Sequence, residues 1–205
     1  VGFSPRRGFM TGPAIGKVNR VTYPGSYWSP DYDAKVVAIT KLFAKVFKAD
    51  PKRIHATGFS RGGHMTWRLA CDHSATFASV APAASGNGST WLLVNQPEAT
   101  CFMSGRTPAR PLPILTLMGK TDVPIPYSTM VSIKDAALAA YGISPGQVGT
   151  LASNGQYARK QSTNANAPIV EWFEQSYETL PGGPTASAKG HCVPGSTYSA
   201  TAPQY

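Results

Sequence analysis

Acidic residues are scarce in this 205-residue chain: Asp and Glu total 10 against 19 Lys and Arg, and only 14% of residues are charged. The net charge of +9 therefore reflects missing acid more than clustered base. Arg6–Arg7, Lys17, Arg20, Lys35, Lys41, Lys45, Lys48, Lys52–Arg53, Arg61 and Arg68 are scattered, with no basic run and no nucleic-acid motif, so nucleic acid is not an expected partner. Low charge with 42% apolar residues excludes an extended disordered chain. No apolar run approaches the roughly 18 residues of a membrane span, and no membrane association is expected. Gly 20 and Pro 18 are abundant but aperiodic, which excludes collagen, and no internal repeat is present. Cysteine is limited to Cys71, Cys101 and Cys192, with no C-x-x-C pair and no His/Cys grouping at zinc-site spacing. No metal or other cofactor is expected. Three cysteines in a Gly/Ser/Thr/Pro-rich chain suit an oxidising compartment, with one disulfide and one leftover thiol. No signal peptide stands at Val1, so an exported protein is expected here in mature or trimmed form.

What is present reads as one domain over 1–205 with alternating strands and helices. Lys17–Tyr23 is a short strand candidate. Ser29-Pro30-Asp31 opens a helix, with Ser as cap and Pro tolerated in the first turn. Val36, Ile39, Phe43 and Val46, joined by Leu42 and Phe47, form an apolar stripe, with the lysines largely opposite, and Pro51 ends the element. Further strands are expected at Arg53–Gly58, Phe77–Ala81, Pro113–Met118 and Ile169–Phe173. Pro113–Met118 is continuously apolar, as in a strand buried on both faces. Helices are expected at Gly62–Cys71, with Met65 and Leu69 inward, and at Met130–Tyr141, with Val131, Ala136 and Ala140 near the right spacing. This alternation implies an α/β fold with a mainly parallel sheet flanked by helices.

Gly58-Phe59-Ser60-Arg61-Gly62 is a G-x-S-x-G at a strand-to-helix junction. Such a turn holds Ser in a strained conformation, so flanking positions lack room for side chains, and the following helix N-terminus favours a developing oxyanion. A serine hydroxyl attacks only when a base takes its proton, and that base needs an orienting carboxylate. The order expected for this type of fold is Ser, acid, His. His55, His64 and His73 lie in or beside the elements that flank Ser60, whereas His191 lies far downstream in a Gly/Pro-rich turn. Asp122 follows the apolar strand, while Asp50 and Asp72 belong to helix ends and Asp135 lies within a helix. Each member has a plainer explanation as a turn or solvent-facing residue, but the three together, in order, form a candidate triad.

Ala56-Thr57-Gly58-Phe59-Ser60-Arg61-Gly62-Gly63, continuing through Met65, Arg68–Cys71 and Phe77–Pro82, resembles the secreted polyhydroxybutyrate depolymerase and feruloyl esterase group of α/β-hydrolases. Pro113-Ile114-Leu115 through Gly119, Asp122 and Ile125-Pro126-Tyr127 is similar to that group's acid-bearing strand and loop, and Gly190-His191 with Pro194-Gly195 to its histidine loop. The resemblance implies Ser60 as nucleophile, His191 as base and then acid, Asp122 as orienting carboxylate, and the Arg61 backbone N–H as one oxyanion donor. The second donor is unassigned, because no His-Gly dipeptide is present. It also implies a Cys71–Cys101 disulfide closing a loop of about thirty residues, worth roughly 3–4 kcal/mol in the chain-entropy model, with Cys192 left over. Members of the group are longer, so some N-terminal strands and a final helix are expected to be lacking here.

The expected activity is that of a secreted serine carboxylic-ester hydrolase working through an acyl-enzyme. Its partner is an ester substrate, possibly polymeric: feruloyl or acetyl esters of polysaccharide, or a polyhydroxyalkanoate. Tyr27 and Trp28 are candidates for stacking on an aromatic acyl group or a sugar, or for packing on the helix that follows. The alternative is a catalytically impaired, polymer- or carbohydrate-binding remnant of the same fold.

Overall fold

The computed structural model describes residues 31–86, 101–103, 105–176 and 190–191. The strand candidate Lys17–Tyr23, the cap at Ser29, Tyr27, Trp28 and Cys192 lie outside the described residues. In chain order the elements are α1 (Asp31–Val46), β1 (His55–Phe59), α2 (Arg61–Asp72), β2 (Ser79–Ala83), β3 (Ile114–Gly119), α3 (Tyr127–Ala140), β4 (Val148–Ser153), β5 (Tyr157–Ser162) and β6 (Val170–Gln175). They build one sheet of order β1-β2-β3-β6-β5-β4. β1, β2, β3 and β6 are parallel to their neighbours, and β5 and β4 add an antiparallel hairpin at the β6 edge.

Each expected strand and helix within the described residues forms, with ends displaced by one to three residues. Pro51–Arg53 is a short 3₁₀ turn, so β1 begins two residues later than expected. The hairpin β4–β5 was not anticipated. Its residues are half-buried or exposed with one exception, Ser162, and neither strand alternates cleanly between apolar and polar, so no inward stripe shows in the sequence. Asn154 closes the turn by accepting from the backbone N–H groups of Gln156 and Tyr157 at 2.8 and 2.9 Å. Asn154-Gly155 was the available signal.

Parallel register aligns Ala56 with Val80, Val80 with Ile114, and Ile114 with Val170, and this row is buried. The helices cover that face. Val36 and Thr40 of α1 line a small cavity with Ala56 of β1 and with Met65 and Leu69 of α2, while α3 lays Lys134 over the Trp172 ring. Two side-chain expectations change here. Leu115, on the other face of β3, is 37% exposed, because all three helices among the described residues lie on the first face. In α3 the buried residues are Met130, Ile133, Ala137 and Leu138, whereas Val131 and Ala136 are half-buried and Ala140 is exposed.

α1 departs further. Only the start of its stripe, Val36 with its neighbour Val37, reaches the core, whereas Ile39 (40%), Leu42, Phe43, Val46 and Phe47 (70%) are exposed. The helix is tethered instead by a buried ion pair: Arg68 of α2 donates to Asp33 through Nε at 2.9 Å and Nη2 at 2.7 Å. Burial pushes the Asp33 carboxyl above its ordinary range, and the Arg68 guanidinium opposes that shift. Cys71 and Cys101 form the disulfide, with Cα atoms 5.4 Å apart.

Candidate active site

The C-terminal ends of β1, β3 and β6 converge on one region, as ligand sites do in open α/β sheets. β1 ends at Phe59, and Ser60 turns the chain into α2 with φ 56° and ψ −116°. This is a left-handed conformation that side-chain-bearing residues rarely adopt. The turn is held from both sides: the Ser60 N–H donates to the Ala83 carbonyl at the end of β2 (2.9 Å), and the Ser60 carbonyl accepts from His64 N–H (3.1 Å). Gly58 makes the tightness possible, since a Cβ there would lie 2.2 Å from the Gly62 carbonyl oxygen.

β3 delivers Asp122 through a short turn in which its N–H donates to the Gly119 carbonyl. Its side chain is fully buried. Oδ1 accepts from the Ile125 backbone N–H at 2.8 Å, which fixes the carboxylate plane. Oδ2 accepts from His191 Nδ1 at 2.8 Å. That bond commits Nδ1 as the donor and leaves Nε2 as the nitrogen available for chemistry. His191 reaches this position because Gly190 (φ 73°) lies against the acid turn: a Cβ on Gly190 would come within 2.3 Å of the Thr121 carbonyl. Gln175 at the end of β6 donates to the Gly190 carbonyl at 3.3 Å and ties the loop to the sheet.

The His191 ring packs on Phe59, with centroids 4.6 Å apart and planes tilted by 45°. The histidine therefore rests against the turn that carries Ser60. Sequence separation between Asp122 and His191 is 69, so only the fold brings them together. Arg61 is the first residue of α2, at the positive end of the helix dipole.

Two residues that sequence reasoning passed over join this site. Phe59 is one, packing on the histidine. His64 is the other: its ring is buried, and Nδ1 lies 3.0 Å from the Ser60 carbonyl oxygen. Burial holds the His64 pKa down to about 4, the bond to Ser60 works the other way, and the positive charges of Arg68, His191 and Arg61 add to the depression. The imidazole is thus neutral at pH 7 and donates through Nδ1. Its spacing, four residues after Ser60 on a helix, was the signal that would have found it.

Of the other histidines, His55 is exposed and bonds Ser79 Oγ at 2.7 Å, and His73 caps the end of α2. Among the described residues no group of three His, Cys, Asp or Glu side chains is placed to hold a metal ion.

No protein-family model matches the chain. It is 33% identical over 119 residues to NocK of Nocardia uniformis subsp. tsuyamanensis, named as an esterase, a match covering 57% of this chain and 31% of that protein. It is 34% identical over 100 residues to feruloyl esterase B of Piromyces equi, covering 47% of this chain and 17% of that protein. The matched segment thus spans less than a third of either relative. Among solved structures, acetyl xylan esterase from Aspergillus awamori superposes with a TM-score of 0.51 at 15% identity, covering 75% of this chain and 68% of that one. The chain accordingly has an α/β-hydrolase fold, and its sequence is similar to those of esterases, a feruloyl esterase among them.

Proposed function

We propose that this chain hydrolyses carboxylic esters through a serine acyl-enzyme. In this mechanism His191 Nε2 takes the Ser60 hydroxyl proton as Oγ attacks the ester carbonyl carbon. Asp122 holds the imidazole by its Nδ1–H and stabilises the imidazolium that forms. The Arg61 N–H donates to the tetrahedral oxyanion. His191 then gives its proton to the departing alcohol. Water, deprotonated by the same nitrogen, attacks the acyl-enzyme and releases the acid. The observation that carries the proposal is the 2.8 Å His191–Asp122 bond, with its ring packed against the strained Ser60 turn.

The substrate class proposed is a polymer-linked ester, feruloyl or acetyl on polysaccharide before polyhydroxyalkanoate. The sequence likeness to a feruloyl esterase supports that order. The charge of +9 favours a polymer that carries acid groups. The Cys71–Cys101 disulfide supports an extracellular setting.

Labelling with a fluorophosphonate followed by peptide mapping is the test. The expected result is an adduct on Ser60 that heat-denatured protein does not form, and loss of both adduct and p-nitrophenyl ester turnover in Ser60→Ala with the fold retained. Ester turnover unchanged in Ser60→Ala defeats the mechanism. Binding of a feruloylated polysaccharide without any adduct on the wild-type chain favours a non-catalytic binding domain.

A further inference from the structure

We infer that His64 is a positioning residue that aims the oxyanion donor, acting through the Ser60–Arg61 peptide rather than on substrate. The inference rests on Ser60 being the nucleophile. Its starting point is a doubled bond: the Ser60 carbonyl accepts both from His64 N–H, as the first helical bond of α2, and from the His64 ring Nδ1–H at 3.0 Å.

A trans peptide is planar, with C=O and N–H pointing in opposite directions. The carbonyl that His64 grips and the N–H of Arg61 are the two ends of one such unit. Fixing the oxygen from two directions therefore fixes where the Arg61 N–H points. This constraint matters most at Ser60, whose left-handed backbone has no intrinsic preference for this peptide orientation. A hydrogen bond received at the carbonyl also polarises the amide and strengthens its N–H as a donor. Oxyanion stabilisation depends on donors already aimed when charge develops, so a loosened peptide weakens the transition state more than the bound substrate.

The ring has no other evident assignment in the mechanism. It is buried, one helical turn into α2, and its Nδ1 is already engaged, so it does not replace His191 as base. The charged and titratable groups that act on it are Arg68 and Arg61 of its own helix and His191 of the facing loop, all of which favour the neutral ring. The geometry requires hydrogen on Nδ1, and burial keeps the ring that carries it neutral.

The experiment compares His64→Leu and His64→Asn in the full chain. Asn places an N–H donor near the position of Nδ1, and Leu fills the space without one. We expect fluorophosphonate labelling of Ser60 and kcat for p-nitrophenyl acetate to fall about ten- to hundredfold in His64→Leu, with KM within about threefold of wild type. His64→Asn recovers most of both. Equal labelling rates in His64→Leu and wild type overturn the inference while leaving the triad intact. Equal losses in folded Leu and Asn variants also overturn it, because the donor is then irrelevant. Nitrogen-15 NMR of wild-type His64 supplies a readout independent of activity: hydrogen on Nδ1 at pH 7 is expected, and hydrogen on Nε2 alone overturns the inference. A wild-type chain whose Ser60 stays unlabelled instead overturns the triad reading, and this inference with it.

Discussion

At Ser60 a left-handed backbone, costing on the order of 1–3 kcal/mol, is held by bonds to Ala83 and His64. Burying His64 beneath this turn has a consequence for stability. The ring takes a proton near its ordinary value of 6.5 when unfolded, but only near 4 when folded. Between those two values the unfolded chain binds more protons, so stability present above pH 6.5 is lost as the pH falls toward 4. The expected loss from this one group between pH 7 and pH 4.5 is about 2 kcal/mol. Urea unfolding at both pH values, wild type against His64→Leu, isolates it. A variant as acid-sensitive as wild type shows that His64 is not the group responsible.

Helix α1 separates pattern from packing at the scale of an element. Its apolar residues recur at helical spacing and the helix forms, yet Leu42, Phe43, Val46 and Phe47 remain exposed. What seats α1 is Val36, Val37 and the Asp33–Arg68 pair. Replacing Phe43 and Phe47 together by Ser is therefore expected to change the unfolding free energy by no more than about 0.5 kcal/mol, beyond the small 5.6 Å ring contact between them. A loss of 2 kcal/mol or more in denaturant titration would contradict the exposed placement. Strand β3 and the hairpin β4–β5 teach the same lesson. Six apolar or small residues fix a strand, but whether Leu115 is covered depends on which side the helices take, and a hairpin without clean apolar–polar alternation carries little periodicity to detect.

For the molecule as a whole, the disulfide joins the end of α2 to the segment before β3 across a separation of 30 residues. Cross-linking a loop of that size restricts the unfolded chain and is worth roughly 3–4 kcal/mol. Reduction is expected to lower Tm measurably, by several degrees for a domain of this size. Tm that is identical with and without reductant at neutral pH would show that the bridge does not stabilise the native state. Sheet topology also acts at this scale. β6 returns beside β3 rather than extending the edge through β4 and β5, and Gly190 and His191, which follow β6 in the chain, lie next to the acid turn after β3.

The amino-acid sequence by itself determined the local chemistry: a strand-to-helix turn that Gly58 makes passable, a candidate acid just past an apolar strand, and a candidate base in a glycine-bearing turn. These are short-range properties, carried by residue type and spacing within a few positions. The tertiary structure alone decided the contacts: His191 on Asp122 across 69 residues, Phe59 against His191, the His64 ring beneath the Ser60 carbonyl, and the bare stripe of α1. The physical reason is that a periodic pattern specifies which face of an element is apolar, while the partner of that face depends on the order in which strands pair. Close approach of two glycine-bearing turns, Gly119 and Gly190, is likewise invisible until the sheet sets β3 and β6 side by side.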